Sequence, residues 1–190
     1  MVVPIPAALN QNSFDVRWYT LRRPASPDAP ACWRKWLLDS GSLTQRLIQA
    51  SKGDFRVEVV RQLWGRPTRS EARELGIPHR QMALIREVQL IGNGQPWVFA
   101  RTIIPASTLT GKQRELNYLG SRSLGTVLFK DPTMQRGALQ ISKLRLLSGE
   151  TVWARRSRFL LSGKPLLVAE VFLPALQKVN YLNNGITESQ

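Results

Sequence analysis

Two charged residues stand on stretches that otherwise read as apolar strand faces. In "QMALIREVQL", alternation puts Met82, Leu84, Arg86, Val88 and Leu90 on one side of a strand, and Arg86 is its only charged member. In "PLLVAEVFLPA", Leu166, Val168, Glu170 and Phe172 share one side, and Leu167, Ala169, Val171 and Leu173 share the other. Both sides are apolar, so Glu170 is buried whichever way it points. A buried ion needs a partner, because its desolvation costs roughly several kcal/mol. Two arrangements meet that need. Arg86 and Glu170 pair with each other, or they line a closed pocket and hold the two ends of a polar ligand. The planar guanidinium suits a carboxylate. The glutamate suits a hydroxyl donor or serves as a base. The second arrangement describes a small hydroxy-carboxylate with an apolar middle, held among Leu, Val, Met and Phe.

Other chemistry has little to work with. The chain of 190 residues has one cysteine, Cys32, and one histidine, His79. A structural zinc site takes four N/S ligands and a disulfide takes two cysteines, so neither is expected. His79 lies in the polar stretch "GIPHRQ" with no nucleophile elbow nearby, and reads as a surface loop residue. Cys32 reads as a small helix residue rather than a thiolate. No Gly-rich phosphate loop is present. The first residues, "MVVPIPAALNQNSF", lack the basic and apolar regions of a signal peptide, and no apolar run approaches a membrane span. A cytoplasmic location is expected.

The charge is lopsided: 27 Lys and Arg against 13 Asp and Glu, a net +14. Nucleic acid, an acidic membrane surface and a small anion all fit such a balance. The basic residues are scattered, with no basic tail, helix-turn-helix or RNP-type motif, so nucleic acid is not expected as a partner.

The elements that must position Arg86 and Glu170 follow from periodicity. Residues 1–30 are Pro-rich and read as an irregular arm; "PASPDAP" has linker character. Trp33, Trp36 and Leu37, then Leu43, Leu47 and Ile48, recur at helical spacing on either side of "DSGS", with Ser42 placed to cap the second helix. Strands then dominate. "FRVEVVRQLW" alternates with a slip at Val60. "RPTRSEARELGIP" reads as a polar loop with room for a helical turn. "QMALIREVQLIGNGQPWVFARTIIP" is a long hairpin turning at Gly92-Asn93-Gly94. "TGKQRELNYLG" and "SLGTVLF" suggest two short helices. "GALQISKLRLL", "VWARRSRFLL" and "PLLVAEVFLP" add three strands joined by "SGE" and "SGKP", turns short enough to require antiparallel neighbours. The expected fold is α+β: one six-stranded antiparallel sheet flanked by helices, in a single domain over 31–175, with a tail at 176–190.

The chain also resembles a known family. "WLLDSGSLTQRL", "LIREVQL", "GQPWVFARTIIPASTLTG", "LGSRSLGTVLF" and "ARRSRFLLSGKPLLVAEVFLPA", in that order from about Trp36 to Pro174, look like the bacterial chorismate lyases that open ubiquinone biosynthesis. The resemblance implies a six-stranded sheet with an enclosed pocket, and conversion of chorismate to 4-hydroxybenzoate and pyruvate without a cofactor or metal. It implies that Arg86 grips the ring carboxylate and Glu170 meets the ring hydroxyl. Leu43 and Leu124 would contribute main-chain amides near the carboxylate. Two positions depart from the family pattern: Leu43 replaces Met, and Ala100 replaces Gly before the Arg-Thr of "ARTIIP". The expected protein is a monomer. Its charge would capture a dianion at long range or hold it near acidic lipid. Arg155, in "WARRSRF", is expected on a solvated face, the alternative being attraction of the second carboxylate. Two other classes compete with the lyase. One is a non-catalytic sensor of a small aromatic acid, since the ligand-binding domain of some GntR-type regulators shares this general fold. The other is a basic nucleic-acid-binding module.

Overall fold

Alternating apolar residues between tight turns build the central sheet. The computed structural model describes residues 9–20 and 29–181. The start of the N-terminal arm, most of "PASPDAP" and the end of the tail lie outside the described residues. Strands β1 (Tyr19–Thr20), β2 (Phe55–Gly65), β3 (Ala83–Gly92), β4 (Gln95–Pro105), β5 (Gln135–Arg136), β6 (Gln140–Arg145), β7 (Thr151–Leu161) and β8 (Lys164–Phe172) form one sheet. Its order is β1-β6-β7-β8-β4-β3-β2, with β5 paired to β7, and every described pairing is antiparallel. The helices are α1 (Ala31–Leu38), α2 (Leu43–Ala50), α3 (Arg69–Leu75) and α4 (Leu124–Lys130).

The six expected strands are present, but among the described residues the sheet has 8. The two extra strands are two residues each, too short to show alternation. The β3–β4 hairpin turns on Asn93 and Gly94, both at positive φ (50° and 73°), the conformation that matches the twist of paired strands. The slip in β2 is a bulge that leaves Val60 outside the register between Val59 and Arg61. The segment "TGKQRELNYLG" turns as a 3₁₀ helix over Gly111–Tyr118.

Both faces of the sheet are covered. On one face, Trp33, Trp36, Leu37, Leu43 and Leu47 of α1 and α2 pack on Val88, Leu90, Val98 and Phe172. Farther along that face, Leu116, Leu119 and Leu128 pack on Leu84, Ile104 and Leu166. On the other face, Phe14 meets Phe99 and Val171, and Leu75 of α3 meets Ile85, Ile103 and Leu167.

That second cover corrects two expectations. Glu87 and Gln89, read as grading into solvent, are 5% and 7% exposed. The "polar loop" contains α3, a two-turn helix with a reciprocal cap: Thr68 accepts from the Glu71 amide and Glu71 from the Thr68 amide. Gly76 ends the helix at φ 68°. The Glu71 carboxylate also binds Arg101 on β4 (Nε to Oε1, 2.7 Å), and Arg101 Nη1 reaches Glu87 at 2.6 Å. Burial works to lower the Arg101 pKa, but its hydrogen bond and charge attraction to Glu71, together with Glu87, outweigh it and raise it. Truncating a buried, paired ion strands its partners, so Arg101→Met is expected to cost about 3–5 kcal/mol of stability. Urea unfolding would measure this; a cost under 1 kcal/mol would refute the bracing role.

Candidate functional site

The charged residues on the first face surround a cavity between the two apolar clusters. The space within it that the centre of a water-sized sphere can reach is about 50 Å³. Its floor is the sheet: Val57, Val88, Ala100 and Val168 supply apolar wall, and Arg86 and Glu170 rise from β3 and β8. The first turns of α2 and α4 line it from above, through Leu43 and Leu124. Thus all four residues expected in the site face one cavity. Ala100 also lines it, between Val88 and Glu170 in register. Met82 does not; it is half exposed, ahead of β3.

The two helix starts are tied together by Thr44 Oγ1 and Ser123 Oγ, 2.7 Å apart. A Cβ on Gly125 would come 2.8 Å from Thr44 Oγ1, so glycine is required for this close approach. First-turn amides have no intrahelical acceptor and carry partial positive charge. Two such turns at one cavity make it suitable for an anion.

Arg86 is 2% exposed and has no carboxylate partner among the described residues. Its Nη2 donates to the carbonyls of Gly120 (2.8 Å) and Arg122 (3.0 Å). Its Nε and Nη1 are buried and have no acceptor among the described residues. Burial pushes its pKa down.

Glu170 pairs not with Arg86 but with Arg155, directly opposite on β7, at 2.6 Å from Nε to Oε2. One of the two arrangements left open by pattern is therefore excluded: Arg86 and Glu170 are not an ion pair with each other. It also overturns the solvated-face reading of Arg155, which is 1% exposed. Its Nη1 donates to the carbonyls of Trp36 (2.8 Å) and Asp39 (2.7 Å) at the end of α1, where a cation complements the helix dipole. The sequence pattern missed a further cavity residue, Arg136 on β5. Its strand is too short to alternate, so no local signal marks it. Four charged groups therefore line the cavity: Arg86, Arg136, Arg155 and Glu170. Three cations against one anion leave an excess of two positive charges.

Asp39 fixes the α1–α2 turn beside this group. Its carboxylate accepts from Gly41 N (2.8 Å), Arg46 Nε (2.8 Å) and Tyr181 Oη (2.9 Å). Burial works to raise its pKa, but the Arg46, Gly41 and Tyr181 hydrogen bonds outweigh burial and lower it from the ordinary 3.8. A depressed folded-state pKa contributes stability above the unfolded value, lost as pH falls through the folded value. Asp39→Asn is therefore expected to cost about 1 kcal/mol at pH 7, a difference that shrinks below about pH 3.8. Urea titrations at pH 7 and pH 3 would check it; a difference that grows toward acid would contradict it.

Compared with known proteins, the chain matches the chorismate lyase family over residues 18–180. The chain belongs to the chorismate lyase family. Named relatives agree. A probable chorismate pyruvate-lyase of Marinobacter nauticus is 42% identical over 151 residues, covering 79% of this chain and 80% of that one. Another, of Pseudomonas aeruginosa, is 41% identical over 147 residues, covering 74% and 83%. Among solved structures, the ligand-binding domain of a putative GntR-family regulator from Bordetella bronchiseptica is similar at TM-score 0.51 and 15% identity, over 69% of this chain and 92% of that one. A GntR-family regulator from Bacillus cereus gives TM-score 0.51 at 13% identity, over 70% and 99%. At such identities the likeness shows that this chain shares their fold and says nothing of activity.

Proposed function

We propose that the protein releases pyruvate from chorismate, leaving 4-hydroxybenzoate, in the cavity between α2, α4 and the sheet, closed off from solvent during the reaction. The observation that carries this reading is Arg86: a buried guanidinium with two nitrogens unmet, facing an apolar cavity with a carboxylate on a neighbouring strand. Leaving such a cation unpaired is costly, and a ligand carboxylate relieves that cost. The ring carboxylate of chorismate would bind Arg86, aided by the first-turn amides at Leu43 and Leu124. The ring hydroxyl would donate to Glu170 Oε1, since Oε2 is engaged by Arg155.

The reaction breaks the ether bond between the ring and the enolpyruvyl oxygen, and a hydrogen leaves the neighbouring ring carbon. The ring becomes aromatic, which supplies the driving force. If that hydrogen passes to the enolpyruvyl methylene, pyruvate leaves directly and atoms balance without an external base. The protein's part is then orientation and electrostatic support. Glu170 shares its charge with a guanidinium at 2.6 Å, which suits holding a hydroxyl better than taking a proton from carbon.

The test is to mix purified protein with chorismate and assay both products. Equimolar 4-hydroxybenzoate and pyruvate would support the lyase. Tight 4-hydroxybenzoate binding with no turnover would favour the sensor reading that the regulator-like fold keeps open. No helix among the described residues is long and apolar enough to cross a membrane.

A further inference from the structure

We propose that Arg136 binds the second carboxylate of the substrate, the one on the enolpyruvyl group, and so separates substrate from product. The inference rests on the lyase reading above. A ligand with one carboxylate needs one guanidinium, and Arg86 supplies it. Chorismate has two carboxylates; 4-hydroxybenzoate keeps one.

The order of charges across the sheet decides which cation takes the second. Arg86 is on β3, Glu170 is two strands away on β8, Arg155 is next on β7, and Arg136 lies beyond it on β5. Strands lie about 4.8 Å apart, so Arg86 and Glu170 arise roughly 10 Å apart across the sheet. Their side chains can meet opposite ends of one ring. The ether oxygen of chorismate is on the ring carbon next to the hydroxyl-bearing one. With the hydroxyl at Glu170, the enolpyruvyl group lies at the Glu170 end, away from Arg86.

Two guanidiniums are near that end, and one is already engaged. Arg155 gives Nε to Glu170 and Nη1 to two α1 carbonyls. Arg136 has only neutral acceptors among its described bonds: Nε donates to Ser157 Oγ (3.1 Å) and Nη1 to the Ser40 carbonyl (2.9 Å). The group lies over the Phe159 ring at 5.3 Å, which holds its plane in the cavity wall. Burial and then repulsion from Arg155 lower its pKa, with Glu170 and Asp39 opposing them, so an incoming anion offsets the repulsion from Arg155. The excess of two positive charges on the lining residues then balances the two negative charges of the substrate and exceeds the single one of the product.

The test compares Arg136→Met with wild type in two assays: steady-state turnover of chorismate, and binding of 4-hydroxybenzoate. A third measurement uses 3-(carboxymethoxy)-4-hydroxybenzoate, an unreactive probe with the ring carboxylate, hydroxyl and ether carboxylate in the substrate's positions. Losing one charged hydrogen-bonding partner should raise KM for chorismate and Kd for the dicarboxylate by about 10- to 100-fold. The Kd for 4-hydroxybenzoate should stay within about twofold, which also shows that the site is still folded. Arg136→Lys should recover part of the loss. Equal losses for both probes, or an unchanged KM, would overturn the inference while the lyase reading stands. A wild-type protein that neither turns over chorismate nor binds either probe would overturn both.

Discussion

Arg86→Met is expected to leave the protein more stable and nearly inactive. Arg86 is 2% exposed, with Nε and Nη1 unmet among the described residues. Two carbonyl bonds do not offset the desolvation of a whole charge. Replacing a buried, poorly paired ion by an apolar side chain of similar length commonly adds about 1–4 kcal/mol. Here the gain should fall at the low end, because the Gly120 and Arg122 carbonyls lose their donor. Activity moves the other way. The anchor for the ring carboxylate is gone, and kcat/KM should fall by roughly 10²- to 10³-fold or more. A ligand that binds only the folded state stabilises it, so 4-hydroxybenzoate should raise the melting temperature of wild type and not of the variant. Urea midpoints, melting curves with and without 4-hydroxybenzoate, and chorismate kinetics measure all three effects. A less stable variant with near-normal kinetics would remove Arg86 from the site. The opposite signs reflect a general conflict: a cation kept ready for a ligand is a liability until the ligand arrives.

Glu170 behaves differently because it is already paired. Glu170→Ala would strand Arg155 in the cavity, beside Arg136 and Arg86, with no anion left among the lining residues. Glu170 is part-buried, with 18% of its side chain exposed, so the expected cost is about 3 kcal/mol, the low end of the penalty for breaking one side of a buried pair. Removing both charges together, as Arg155→Met with Glu170→Leu, should recover most of that stability and no activity. Glu170→Gln separates orientation from base catalysis. The amide can still accept from the ring hydroxyl, so an orienting role predicts a kcat loss of less than about tenfold. An obligatory base predicts near-complete loss. Unfolding in urea gives the first two results and single-turnover kinetics the third. A Glu170→Ala protein as stable as wild type would show that Arg155 is held by the α1 carbonyls alone.

The sequence by itself determined most of the sheet and half of the site. Alternation is a property of neighbouring residues, so β2, β3, β4, β6, β7 and β8, the bulge at Val60 and the tip at Asn93-Gly94 are all legible locally. The same alternation marks Arg86 and Glu170 as charges on apolar faces. Even the partner of Glu170 was within reach. A two-residue turn at Ser162-Gly163 pairs Leu161 with Lys164, and six residues farther along each strand Arg155 meets Glu170. The capping pattern Thr68…Glu71 with Gly76 likewise announces α3 in a stretch read as loop.

Tertiary structure alone decided the rest. β1 and β5 are two residues long and exist because β6 and β7 offer them an edge, not because their own residues prefer it. Whether Glu87 and Gln89 meet solvent depends on α3 and residues 11–14 folding over that face, contacts between segments distant in sequence. Arg136 enters the cavity only because β5 docks beside β7 and Ser40 accepts its Nη1 from a turn 96 residues away. The short-range pattern records which face a strand residue takes; which distant charges share that face is set by how the elements pack, and this put three guanidiniums and one carboxylate around a single cavity.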